Sequence, residues 1–313
     1  MSAEGVVRFG DLDESSVAER LAAGTCLIDH GAARVRVRAV ARGFARDLKR
    51  VYAHFPCEDA TDRFADFHVD LVPSTGLRSW LKPQVRFRID GMEPFDPFPA
   101  SDALPLFEWG VNWCVGQRFN QYVLLHAGAL ALDGRAVLMA APPGAGKSTL
   151  TAALMLSGMR LLSDEFGVLC PDSGGLLAML KPVALKNASI EVIGQRFADA
   201  RLGPRFTGTR KGDVAHLAPN AASVAQRAHA AAPTLLVFPR YQPGTRLRLR
   251  RVVSDQAFAG LAFNSFNYPV LGGTAFDAVA DLVERCTAYR LEYDDLDAAI
   301  QTVHDLLAER GTE

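Results

Sequence analysis

Residues 140–150 read AAPPGAGKSTL, and no other stretch of the 313-residue chain restricts its fold as much. Gly144, Gly146, Lys147 and Ser148 stand in phosphate-loop order, with Ala141 where the first glycine of such a loop would be. The apolar run RAVLMAA precedes them and KSTLTAALMLSG follows, so the pattern predicts a strand, a tight loop and a helix. A chain that turns through glycines into a helix aims backbone N–H groups at one point, and the helix dipole adds positive potential there. Pro142 and Pro143 carry no N–H, so the donors must come from Gly144, Ala145, Gly146, Lys147, Ser148 and Thr149. Lys147 is spaced to reach the outer phosphates of a nucleotide, and the Ser148 hydroxyl suits Mg²⁺. Alanine in place of the first glycine adds only a methyl group.

Seventeen residues after Lys147 the chain presents Asp164 and Glu165, in LLSDEFGVL. One helix and one strand return the backbone beside the loop, so a carboxylate here is spaced for metal or base chemistry. His126 lies 21 residues before Lys147, in YVLLHAGALAL. By itself, a histidine among apolar residues fits a hydrogen-bonded core position at least as well as a site.

Around this segment the pattern has two regimes. TCLIDHGAARVRVRAV, RFADFHVDLV and QVRFRID alternate at period two, and FARDLKRVYAHF has helical spacing. The turn-rich GMEPFDPFPAS, at 91–101, marks a boundary, giving a small α+β domain over 1–98 and a larger one over 99–313. The second opens with a buried helix, ALPLFEWGVNWCVGQRF, and continues with strands on either side of Asp133-Gly134. It then takes the strand TLLVFPRY, a strand pair around Pro243-Gly244, and helices near 254–266, 273–286 and 296–310. Together these imply an α/β core with a buried central sheet.

Net charge is −1, and no basic excess points to nucleic acid or a membrane surface. The start of the sequence has no signal-peptide pattern, and no apolar run reaches membrane-spanning length. Five widely spaced cysteines form no CxxC pair, which fits reduced thiols in a cytoplasmic protein. RLRLRR, 246–251, reads as a solvated sheet face. FNSFNYPVL, 263–271, reads as core plus a helix end, able to line an acceptor cleft if it is functional.

The histidine strand, the glycine-lysine-serine loop and the acidic pair resemble, in order and spacing, the HPr kinase/phosphorylase family. The resemblance covers residues 121–170 and is nearest to the shorter HPr-kinase-related proteins, which accompany peptide-modifying systems. Phosphoenolpyruvate carboxykinase shares that fold more distantly. The resemblance implies a P-loop-containing central sheet of that type and an ATP- and Mg²⁺-dependent kinase. Its acceptor would be a hydroxyl, that of Ser or Thr in a peptide or small protein. Carried over by position, Lys147 and Ser148 hold phosphates and Mg²⁺, and Asp164 is the general base. His126 sits beside Asp164 and tunes it, and Glu165 takes the metal side. Lys186 and Lys211 are candidates for a second cation on the phosphates, with 203–219 as a mobile loop that closes over them. In two places the chain departs from the family. Ala127 intervenes between His126 and Gly128, and LKPVALKNASIEVIG stands where the family has R-G-L-G-I. A kinase of free serine or a similar small molecule, and a nucleotide-binding regulatory module, are the competing readings. Self-association, the acceptor and the use of pyrophosphate stay open, and His216 has no assigned role.

Overall fold

The computed structural model describes residues 6–75 and 81–309. The chain is mixed α/β, with three sheets. The first unit begins with α1 (Glu14–Ala23). The Asp13 side chain accepts the Ser16 N–H to start this helix, and Gly24, at φ 68°, ends it. Strands β1 (Cys26–Asp29) and β2 (Arg34–Ala39) follow, then α2 (Phe44–Val51), β3 (Glu58–Asp59), β4 (Phe67–Pro73), β5 (Gln84–Ile89) and β6 (Phe98–Pro99). They form one sheet in the order β3-β1-β2-β4-β5-β6, parallel only between β2 and β4. The expected alternation is present. Val35, Val37, Phe67, Val69, Leu71, Val85, Phe87 and Ile89 are buried, and Arg34 and Arg38 are exposed.

Helix α3 (Ala103–Arg118), beyond the 91–101 turn, packs back on this first sheet. Phe107 meets Phe44 edge-on at 5.5 Å. Gly110 lies so close to β5 that a Cβ there would sit 2.0 Å from the Phe87 ring. One hydrophobic cluster therefore runs from Phe9 to Leu307 without a break at residue 98.

The largest sheet is built from β7 (Val123–Leu132), β8 (Arg135–Ala140), β9 (Arg160–Ser163), β10 (Phe166–Leu169), β11 (Leu176–Leu177), β15 (Ala232–Tyr241), β16 (Arg248–Arg251) and β17 (Thr287–Tyr293). Between β11 and β15 lies a small sheet of β12 (Val183–Lys186), β13 (Phe206–Thr209) and β14 (Gly212–Leu217), in the order β12-β14-β13. Asp133 and Gly134 both have positive φ, 49° and 79°, and close the β7–β8 hairpin. The parallel part of the large sheet is β8-β15-β17. The helices of this region are α4 (Lys147–Leu156), α5 (Ala188–Arg196), α6 (Ala221–Ala225), α7 (Ser254–Phe263), α8 (Tyr268–Leu271), α9 (Gly273–Arg285) and α10 (Leu296–Glu309). Two packed helix pairs, α4 with α10 and α7 with α9, lie against the large sheet.

Two expectations are corrected. The strand pair expected around Pro243-Gly244 is not a pair, because β17 enters between β15 and β16 and bonds to both. The segment 203–219, read as a mobile loop, is largely the β13–β14 hairpin, anchored by buried Phe206, Val214 and Leu217. Arg248–Arg251 is an exposed edge strand, as its alternating arginines suggest. Among the described residues, no helix is long and apolar enough to cross a membrane.

Candidate functional site

The strand, loop and helix expected around residues 140–150 are all present. β8 ends at Ala140 and α4 begins at Lys147. Gly144 and Gly146 have φ of 84° and 89°, the left-handed region where a Cβ is strained. At Gly146 there is also no room, because a Cβ would lie 2.9 Å from both the Tyr241 Cβ and the Tyr293 hydroxyl oxygen. Tyr241 N–H bonds to the Ala145 carbonyl at 2.9 Å and fixes the loop against β15. Gly146, as the cap, supplies no side-chain acceptor to the first turn of α4. The N–H groups of Lys147, Ser148 and Thr149 have no intrahelical acceptor to reach, so an anion at this end would meet several donors at once.

The acidic pair arises from an interruption in one long ladder. Ser163 pairs with Ala129 and Phe166 with His126 in the same antiparallel register along β7. Asp164 and Glu165 thus lie opposite Gly128 and Ala127 but leave the ladder. Ser163 Oγ takes over as acceptor for the N–H groups of Glu165, at 3.3 Å, and Phe166, at 3.0 Å. Gly128 lets α4 press against this point, since a Cβ there would be 2.5 Å from Thr151 Oγ1. The same approach brings Lys147 to the acidic pair.

Lys147 and Asp164 are both buried, 9% and 8% exposed. The Lys147 ammonium donates to the main-chain carbonyl of Asp164 and stands 3.7 Å from its Oδ1. That Oδ1 is buried and accepts no hydrogen bond. His126 Nε2 is 3.6 Å from Glu165 Oε1. Among the described residues, this is the carboxylate within ion-pair distance of His126, so the acid beside the histidine is Glu165 and not Asp164. The cause is the register, because Phe166 sits opposite His126 and leaves Glu165 one residue away. Burial pushes the His126 imidazole below its ordinary pKa, against the pull of Glu165 and with help from Lys147. Burial also pushes the Glu165 carboxyl up. Lys147, His126, Lys211 and Lys181 outweigh it and leave the pKa below its ordinary value. The Phe266 ring packs against His126 at 5.3 Å between ring centroids, and Phe263, nearby in the chain, is 90% exposed.

Beside the acidic pair opens a small cleft with a cavity volume of about 30 Å³. Lys186 and Lys211 stand in its lining with Asp164 and Glu165, and no residue of the 141–149 loop does. Sequence reasoning missed the opposite wall, which is Glu108, Trp109 and Asn112 of α3, and also Lys181. Lys181 is buried. Its ammonium donates to Asn112 Oδ1 and the Glu108 carbonyl, and lies 3.1 Å from Glu108 Oε2.

No family model matches the chain, and no curated protein matches it.

The loop, Lys147, Asp164, Glu165 and His126 thus stand together, with Lys186 and Lys211 in the lining of the adjoining cleft. Chemically, the arrangement offers anion donors at a helix start and a buried lysine against a carboxylate. That carboxylate belongs to a residue lining a polar cleft, and its buried Oδ1 accepts no hydrogen bond. Among the described residues, no three His, Cys, Asp or Glu side chains gather into a metal site of their own. A Mg²⁺ ion shared between one or two protein oxygens and phosphate oxygens needs no such cluster. Ser148 and Glu165 are the side chains chemically suited to it.

Proposed function

We propose that the chain is an ATP- and Mg²⁺-dependent kinase of the HPr-kinase-related type, with a P-loop in its central sheet. It transfers the γ-phosphoryl group to a hydroxyl, that of Ser or Thr in a peptide or small protein. The reading is carried by one observation: the Lys147 ammonium and the unpartnered Asp164 Oδ1 meet at the start of a helix whose first N–H groups are free.

In this reading the nucleotide phosphates lie against residues 144–149, and Lys147 balances their charge. Mg²⁺, held by Ser148 and Glu165, would neutralise charge on the outer phosphates. His126 orients Glu165. Asp164 takes the proton of the acceptor hydroxyl late in the transfer. The new oxygen–phosphorus bond forms as the bond to the β,γ-bridging oxygen breaks, and ADP leaves. The buried setting of Lys147 and Asp164 keeps water from competing with the acceptor. Exposed Phe263 and the ring of Phe266 beside His126 favour a peptide acceptor, since they give apolar residues near the hydroxyl a surface to lie on.

The test is incubation with ATP, Mg²⁺, peptides encoded beside the gene and free serine, followed by mass spectrometry. A peptide heavier by about 80 Da, one phosphoryl group, is the expected product. Asp164→Asn should lower transfer by about a hundredfold or more with nucleotide affinity nearly unchanged, because the base does not hold the phosphates. Lys147→Ala should weaken nucleotide binding itself. Phosphorylated free serine in place of peptide would reassign the substrate to small molecules. Nucleotide binding without any product would make the chain a regulatory module. Calorimetry that detects no nucleotide would end the proposal.

A further inference from the structure

The cleft holds more positive charge than the proposed transfer uses. Three lysines, Lys181, Lys186 and Lys211, line it with the carboxylates of Glu108, Asp164 and Glu165, and Lys147 reaches Asp164 from the loop outside it. Lys147 is engaged with Asp164, and Lys181 has its three donors directed to Glu108 and Asn112. Lys186 and Lys211 stand at the rim, and among the described residues neither has a carboxylate within ion-pair distance. The Lys211 residue as a whole is exposed, yet its ammonium turns inward to 5.2 Å from the Trp109 ring centroid. Desolvation there, and then the like charge of Lys186, lower its pKa below the ordinary lysine value. Glu165 opposes this only in part, so two cations lining one cleft are left to repel each other, and an anion between them would relieve that.

A second, independent observation comes from the floor of the same cleft. His216, on β14 opposite Ala184 of β12, is fully buried and lines the cleft. Neither of its ring nitrogens has a hydrogen-bond partner. A neutral imidazole always carries one N–H, and burying it without an acceptor costs free energy. A ligand oxygen in the cleft would satisfy it.

We propose that the part of the cleft bounded by Lys186, Lys211, Trp109 and His216 is a subsite for a small oxyanion, a carboxylate or phosphate group. Since no residue of the 141–149 loop lines this cleft, the oxyanion is not a phosphate of the bound nucleotide. Resting on the kinase reading above, it belongs to the acceptor, which carries the anionic group near the hydroxyl that faces Asp164. The subsite would then select acceptors by charge, and the rim lysines would fix the hydroxyl relative to the base.

The experiment uses the full chain saturated with ADP and Mg²⁺, so that the loop is filled. Inorganic phosphate is titrated in one arm and acetate in another, with calorimetry and the ring signals of His216 in NMR as readouts. Saturable binding of phosphate, acetate or both, with movement of the His216 signals, is the expected result. Lys211→Met and Lys186→Met should each weaken it about tenfold, the scale of losing one charge-assisted contact, with ADP affinity unchanged. The two arms separate a phosphate-bearing from a carboxylate-bearing acceptor. The proposal is overturned if neither anion saturates. It is equally overturned if binding survives both substitutions and disappears in Lys147→Met, because the anion then lies on the loop. If ADP itself does not bind, the kinase reading fails, and the same titrations without nucleotide still decide whether the subsite exists.

Discussion

His30 and His216 are fully buried, and burial holds both imidazoles down to a pKa of about 4. At His30 the Leu180 carbonyl opposes this, and at His216 Glu108 does, both more weakly than burial acts. An unfolded histidine takes up its proton near pH 6.5, so between pH 6.5 and pH 4 the unfolded chain binds protons that the folded chain refuses. Stability therefore falls as pH drops through that window, and these two groups add no further loss below about pH 4. By pH 5 each histidine should have removed about 2 kcal/mol. Urea unfolding at pH 7 and pH 5 measures the loss. In His216→Leu the difference between the two pH values should shrink by about 2 kcal/mol. An unchanged difference would mean that His216 takes up its proton without unfolding.

At the scale of elements, the site exists because α4 can approach β7 closely where the β9–β10 ladder is broken. Gly128 is the contact point. In Gly128→Ala the new methyl would collide with Thr151 Oγ1, which is buried and already without a hydrogen-bond partner. The cost expected from overpacking is about 1–3 kcal/mol, with α4 and Lys147 displaced from Asp164. Adding Thr151→Ala removes the colliding oxygen, so the double variant should be more stable than Gly128→Ala alone. Equal stability of the two in thermal unfolding would show that the collision is relieved elsewhere. This part of the molecule was legible in the sequence because its determinants are local. Asp133-Gly134 closes the β7–β8 hairpin, the glycines start α4, and the chain returns within one helix and one strand to deliver Asp164 and Glu165. Which acid faces His126 was not legible, because it depends on a register of single residues. The β13–β14 hairpin was hidden by turn residues such as Gly208 and Gly212, both at positive φ, which make the segment look like loop. The insertion of β17 between β15 and β16 is a pairing across about fifty residues, and no local pattern encodes it.

Across the whole molecule, the least legible feature is the wall that the first unit lends to the cleft. Tyr52, at the end of α2, donates to Glu108 Oε1 at 2.7 Å, and Glu108 Oε2 faces Lys181 at 3.1 Å. This buried chain ties the first sheet, through α3, to the strands that carry Lys186 and His216. In the sequence, Glu108 lies within an apolar helix pattern and nothing local singles out Lys181. Only packing over more than seventy residues makes them partners. A buried ion pair adds little net stability over a well-packed apolar pair, but removing one member leaves the other charge buried alone. Lys181→Met should therefore cost about 3–5 kcal/mol, and Glu108→Leu a similar amount, lowered if Tyr52 finds another acceptor. The double variant Lys181→Met with Glu108→Leu should recover most of the loss, since no unpaired charge remains. If the pair acts only as a structural tie, the double variant should also keep nucleotide affinity while its cleft wall turns apolar. Additive losses in the double variant would mean that Lys181 and Glu108 act separately, and that the two units are held together by the apolar contacts of α3 alone.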